Sequence, residues 1–395
     1  ELGAQAGGGA PPARGSGANR RASTRLSHAD EAFFRALATR EADTWKLAEF
    51  LPSGPLIPRV LELVGRAYNV HFLEEEVMKP TTWGRLQSGW HKSVRIYRVL
   101  NGPPGARSAA SPEQGCLGFV YFDLYRRTSL LGRAACELAG AALLCSGHVY
   151  VSMNMQDTGF GQNKLFNPEE VVAMAHELGH AVHMLCHGGS CQEFDDLPLD
   201  VLELPSVLAE TIAEHPDIVA QYARHYSSGG APPDGIVRSC QRSVSWYLRY
   251  LQSAHVTLGL HGEAFDPCSS TPAELRRTAV ALWQRYSPVT AHPMYTPFGE
   301  DAGLHLGQGA NQIAYLLCYL RADAILHGRP GASAAGGGAA TSAASARLQA
   351  RDVTQRWLSP EFAKRVRAQL LDPVFSGQRL AALLPLLNAP EPSRQ

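Results

Sequence analysis

His176-Glu177-Leu178-Gly179-His180 decides how this chain is read. It is an H-E-x-x-H motif, and its surroundings predict a helix over residues 168–187. Asn167 suits the N-cap and Pro168 the first turn. Glu169 and Glu170 complement the positive end of the helix dipole, and Gly188-Gly189 ends the segment. Histidines four apart on a helix lie one turn apart on one face, so both imidazoles reach one zinc ion. The glutamate beside the first histidine then sits next to the open coordination position, where it can take a proton from water. The competing reading is a helix with two solvated histidines. The helix-shaped context and a candidate third ligand downstream weigh against it.

A catalytic zinc takes three protein ligands and keeps one exchangeable position. The metzincin pattern would need glycine at 183 and histidine at 186; His183 and Cys186 stand there, which excludes it. A glutamate from a second helix is the other common solution. Asp200-Val201-Leu202-Glu203-Leu204-Pro205-Ser206 opens such a helix, predicted over 201–214. Proline is tolerated in about the first turn, which puts the helix start near residues 200–202. Glu203 is the expected third ligand. Asp200-x-x-Glu203 also resembles a capping box, so Glu203 could instead cap its own helix. Glu210, two turns on, is the rival ligand or a partner that orients a ligand histidine. His183 and His187 continue the histidine stripe and read as satisfied or solvated side chains. Cys186 and Cys191 read as ordinary thiols.

His176-Glu177-Leu178-Gly179-His180-Ala181-Val182-His183, with Val201-Leu202-Glu203-Leu204-Pro205-Ser206, resembles the thimet oligopeptidase family of zinc peptidases. Its pattern is H-E-x-G-H-A-x-H and then F-x-E-x-P-S. Other segments fit as well. Leu117-Gly118-Phe119-Val120-Tyr121-Phe122-Asp123 with Arg127 is similar to the family's L-G-x-I-Y-x-D-x-x-x-R strand, and residues 90–99 to the strand before it. Residues 221–233 and 247–262 are similar to its run after the zinc site. His305-Leu306 with Tyr315 and Tyr319-Leu320 is similar to its H-L-x-G-Y-x-A-x-Y-Y-x-Y-L loop and helix. The resemblance spans about residues 47–385 and is nearest to the branch that trims N-terminal peptides from imported mitochondrial precursors.

The resemblance implies a zincin-like metallopeptidase domain on the H-E-x-x-H helix, one zinc per chain held by His176, His180 and Glu203, and Glu177 as general base. It also implies that His305 and tyrosines of the 305–320 segment hold the peptide carbonyl and the developing oxyanion. Tyr315 or Tyr319 is the catalytic tyrosine, depending on whether a three-residue insertion is admitted. His292 and Tyr295 are weaker candidates. Two departures stand out: Gly307-Gln308-Gly309-Ala310-Asn311 replaces the family's glycine-tyrosine loop, and Leu130, Leu131, Gly132 and Ala134 replace a lysine and histidines after Arg127. Members of the family are longer and carry a helical half ahead of this region, so the chain reads as the catalytic half alone.

Composition bounds the rest. A chain of 395 residues can bury one large core or two domains. Its net charge of zero leaves no nucleic-acid footprint. No apolar run approaches the roughly 18 residues of a spanning helix. Eight cysteines lie scattered without C-x-x-C spacing and read as reduced thiols. Residues 1–29 are Gly, Ala, Pro, Arg and Ser in the main and are expected to be disordered. Their Arg14, Arg20, Arg21 and Arg25 resemble a transit peptide only faintly. The Gly/Ala/Ser run 328–346 is expected to be a disordered insert in a catalytic domain of residues 30–395.

The predicted fold class is mainly α with a small β-sheet. Residues 30–75 read as two helices, and 89–100, 117–125 and 147–155 as strands of a sheet ahead of the zinc helix. The last strand, from His148, is a candidate to lie along the cleft and pair with extended substrate. Helices are expected at 168–187, 201–214, 216–226, 234–260, 271–286 and 308–327, and Ser359-Pro360-Glu361 opens another. The functional expectation is a zinc metalloendopeptidase, by resemblance a processor of mitochondrial precursors in the matrix. The alternatives are a general oligopeptidase, cytoplasmic for instance, and an inactive paralogue that keeps a zinc-stabilised binding fold. Expected partners are a peptide or precursor-protein substrate, with no nucleic acid, no membrane span and a monomeric chain.

Overall fold

A computed structural model of the chain describes residues 30, 33, 44–75, 91, 93–102, 115–125, 139–145, 147–155, 164–187, 191–239, 244–262, 265–266, 268–287, 289–291, 311–327 and 357–371. The expectations for 1–29, 328–346, Gly188-Gly189, His292, Tyr295 and His305 lie outside them.

Helix α1, Ser53–Tyr68, puts Leu56, Val60, Leu63, Val64 and Ala67 on one buried face at helical spacing. It ends at Asn69, whose left-handed backbone (φ 54°, ψ 47°) suits the short polar side chain and returns its amide to the Gly65 carbonyl. That stop frees Val70–Glu75 to pair as strand β1, where the sequence had read helix through residue 75.

Strands β2 (Arg95–Asn101), β3 (Cys116–Tyr125), β4 (Ala139–Cys145) and β5 (His148–Met155) complete a five-stranded sheet of order β1-β2-β3-β5-β4. Only β3 and β5 run parallel; the other pairs are antiparallel. Alternation sends Val120, Phe122, Val149, Val151, Met153 and Met155 to the core. The strand expected to meet substrate, β5, is paired on both sides, so its backbone groups are used up. On that side the sheet ends at β4, an edge strand that sequence reasoning missed. Its run Ala-Gly-Ala-Ala-Leu-Leu-Cys holds no β-branched residue to mark it as a strand.

Helix α2, Pro168–His187, lies on this sheet and buries Val171, Met174, Ala175, Leu178, Ala181 and Val182 in one cluster with the inner faces of α1 and the sheet. Asn167 and Glu170 form a reciprocal cap: the Glu170 amide donates to Asn167 Oδ1 at 2.7 Å, and the Asn167 amide to Glu170 Oε2 at 2.9 Å. Helix α3 spans Leu199–Ala213 and packs across α2. It starts a little earlier than expected, so Pro205 sits beyond the first turn. The remaining long helices are α4 (Val244–His261), α5 (Pro272–Gln284) and α6 (Asn311–His327). The helix expected over 216–226 is described only as Pro216–Tyr222, because Ala223 turns extended. The one expected over 234–260 is described as Asp234–Ser239 and α4. A smaller cluster of Val256, Leu260, Ala279, Trp283 and Val289 joins α4 to α5. Ser359 caps Pro360–Val366 as expected, accepting from the Phe362 amide at 3.2 Å. No helix among the described residues is long and apolar enough to cross a membrane.

Candidate active site

The site forms where α2 crosses α3. At the crossing, a β-carbon on Gly179 would lie 2.7 Å from Ser206 Cα and 2.9 Å from the Pro205 carbonyl oxygen. Only glycine lets the two helices approach this closely. The glycine of the H-E-x-G-H motif therefore sets the distance that Glu203 must bridge.

Across that crossing, Glu203 Oε2 lies 3.1 Å from His180 Nε2 and 3.4 Å from His176 Nε2. Donor atoms of His176, His180 and Glu203 all lie within 4.8 Å of one another, the one such group of three His, Cys, Asp or Glu residues among the described residues. Ligands about 2.0–2.1 Å from a tetrahedral ion stand roughly 3.3–3.4 Å apart, so these separations fit one zinc. The chemistry of the donors fits as well: two imidazoles and one carboxylate suit zinc, with a position to spare.

His176 Nδ1 lies 2.9 Å from Glu210 Oε2. A carboxylate only accepts, so Nδ1 carries the proton and Nε2 is left with its lone pair toward Glu203 and His180. Glu210 is in turn held by the Tyr319 hydroxyl, which donates to Oε1 at 3.1 Å. Glu210 thus stands outside the group of three donors, against the far nitrogen of His176. Glu203 does not cap its helix. Pro198 is the N-cap residue and offers no side-chain bond, while Asp200 Oδ2 is taken by Arg321 at 2.7 Å.

The two oxygens of Glu203 have different neighbours. Oε1 accepts from the Tyr315 hydroxyl at 2.7 Å. Ser206 Oγ lies 2.9 Å from Oε2 and 2.7 Å from the Glu203 carbonyl, sharing its hydrogen between them. Ser206 was missed from the sequence, although it stands three residues after Glu203 on the same helical face.

Glu177 is buried beside this group. Burial raises its pKa, the neighbouring His176 and His180 lower it, and the Glu203 charge raises it; the net direction is upward. A carboxylate made more basic in this way is better suited to accept a proton near neutral pH. His183 is fully buried, edge-on to Phe194, with its ring facing the Leu202 carbonyl outside hydrogen-bond geometry. Burial lowers its pKa to about 3, so it is a neutral core residue. His187 also meets Phe194 edge-on, and neither histidine joins the donor group.

An H-E-x-x-H helix seated on a small mixed sheet, with a carboxylate from the next helix facing its histidines, is the architecture of a zincin-like metallopeptidase. The family model described as "Peptidase family M3" matches residues 30–300, more than half of the chain, and the chain belongs to that family, the thimet oligopeptidase family. Individual relatives are more distant. Mitochondrial intermediate peptidase of Arabidopsis thaliana is 27% identical over 225 residues, 53% of this chain and 31% of that protein. Dipeptidyl carboxypeptidase of Escherichia coli (strain K12) is 34% identical over 180 residues, 43% of this chain and 24% of that protein. Oligopeptidase A of the same bacterium is 23% identical over 270 residues, 62% of this chain and 37% of that protein. The chain thus spans between 24% and 37% of the length of these relatives.

Proposed function

We propose that this chain carries zinc-dependent peptide-bond hydrolysis, with His176, His180 and Glu203 as the metal ligands and Glu177 as the general base. The observation that supports it most directly is the convergence of two histidine Nε2 atoms on Glu203 Oε2 across the α2–α3 crossing. Zinc held there supplies a Lewis acid that polarises the scissile carbonyl and acidifies water. Glu177 takes the proton of the attacking water and passes it to the leaving amine. Glu210 keeps His176 in the tautomer that offers Nε2 inward, and Tyr319 keeps Glu210 in place. The oxyanion partner comes from His305, Tyr315 or Tyr319. His305 is favoured, because both tyrosine hydroxyls already serve carboxylates.

The substrate class is an extended peptide. Likeness to mitochondrial intermediate peptidase favours N-terminal segments of imported precursors, and a matrix location. Likeness to oligopeptidase A supports the second reading, a general oligopeptidase. The test is metal analysis of the purified chain together with turnover of two peptide sets, precursor N-termini and unrelated short peptides. Cleavage confined to the first set supports processing, and cleavage of both supports the oligopeptidase. One zinc without any cleavage leaves the inactive binding fold. Light scattering tests the monomer.

A further inference from the structure

We infer that Tyr315 is a positioning residue for Glu203: its hydroxyl takes up one carboxylate oxygen so that the other alone faces the two histidines. The inference rests on the zinc reading above and concerns how the third ligand is held. Tyr315 donates to Oε1 at 2.7 Å, while Oε2 stands 3.1 and 3.4 Å from the histidine Nε2 atoms. A carboxylate has two equivalent oxygens, and a metal can take one or both. A donor fixed on Oε1 withholds that oxygen and leaves a one-oxygen ligand, which preserves an exchangeable position at a four-coordinate ion.

The arm that carries this hydroxyl is not free to swing. Helix α6 is tied to α3 at three places along its length. Tyr315 meets Glu203, Tyr319 meets Glu210 at 3.1 Å, and Arg321 meets Asp200 at 2.7 Å. Cys318 adds a contact to the Asp200 carbonyl at 3.3 Å. Tyr315 and Tyr319 are one turn apart on α6, so the helix docks with both hydroxyls directed at the acidic groups of α3. Tyr319 acts on His176 through Glu210, whereas Tyr315 acts on the third ligand itself. Phenylalanine at 315 frees Oε1 to turn toward the ion, and the coordination number rises.

The experiment compares the wild-type chain with Tyr315→Phe and Tyr319→Phe, each loaded with Zn²⁺ or Co²⁺. Zinc affinity is read by competition with a chromophoric chelator, and coordination by the visible absorption of the Co²⁺ form. Tyr315→Phe is expected to weaken zinc by about 10–100-fold and to lower the intensity of the cobalt bands, as a fifth donor joins. Tyr319→Phe removes the same group from the same helix and is expected to leave the cobalt coordination number unchanged. Wild-type zinc affinity and an unaltered cobalt spectrum in Tyr315→Phe, with kcat down about a hundredfold, would overturn the inference and make Tyr315 an oxyanion donor. Equal spectral changes in both variants would overturn it too. If Tyr315→Phe does not fold, Ser206→Ala removes the donor from Oε2 and leaves Tyr315 on Oε1; the inference then expects an unchanged cobalt coordination number, and a fifth donor appearing in that variant would overturn it. Failure of the zinc reading is separate: the wild-type chain would then bind no stoichiometric zinc.

Discussion

The hydroxyl of Tyr68 donates to the carbonyl of Pro205 across 2.5 Å, in the middle of the helix that carries Glu203 and Glu210. Tyr68 is the last residue of α1 and is wholly buried. Burial raises its pKa, and the Ala209 amide facing the same oxygen opposes that rise. The hydroxyl therefore ties the end of α1 to the backbone of the helix that carries Glu203. Tyr68→Phe keeps the ring and removes this hydrogen bond. The expected cost is about 1–3 kcal/mol, read as a lower midpoint in urea unfolding. An unchanged midpoint would mean that this bond adds nothing to stability.

Gly179→Ala should be more damaging than an alanine usually is in a helix. Its β-carbon meets the backbone of Pro205 and Ser206, which cannot step aside as a side chain can. We expect about 1–3 kcal/mol of destabilisation from overpacking, together with weaker zinc binding as α3 is pushed off. Thermal melting and chelator competition on one preparation would check both. Full zinc affinity in this variant would show that the crossing distance does not govern the site.

Glu177→Gln is expected to retain zinc and to lose about 10²–10⁴-fold in kcat. The amide keeps the shape of the side chain but cannot accept the proton. Metal content and turnover measured on the same sample decide the matter. Simultaneous loss of metal would assign Glu177 a structural role instead.

Glu214, at the C-terminal end of α3, gives a pH prediction. Burial pushes its carboxyl from 4.5 up to about 8. The folded chain thus holds this proton when the unfolded chain has released it. Its contribution to stability is full below about 4.5 and is lost as pH rises from there through about 8. Glu214→Gln mimics the protonated form and escapes that loss. The Tm advantage of the variant over wild type should therefore grow from pH 5 to pH 8. An advantage that is constant with pH would place the carboxylate in contact with solvent.

Local chemistry made much of this protein legible. The H-E-x-x-H helix was readable because its signals are short-range: Asn167 and Glu170 cap each other, and His176 and His180 share a face by helical geometry alone. Asn69 was an equally local stop signal, and its left-handed turn was overlooked where β1 begins. Glu203 was readable as a candidate, yet its rivals could not be dismissed. Capping, ligation and orientation of a histidine all begin with the same side chain at the same spacing.

The sequence by itself determined the H-E-x-x-H helix, the helical character of the second half and the presence of a small sheet, because periodicity and caps act within a few residues. Only the tertiary structure decided which carboxylate faces the histidines, which strand lies at the edge, and what the tyrosines do. Tyr315 lies 112 residues from Glu203, and Tyr319 lies 109 from Glu210. No pattern in a linear chain fixes the partner of a hydroxyl over such a span. That choice is made when α6 docks on α3 and brings each phenol against the buried carboxylate it can satisfy.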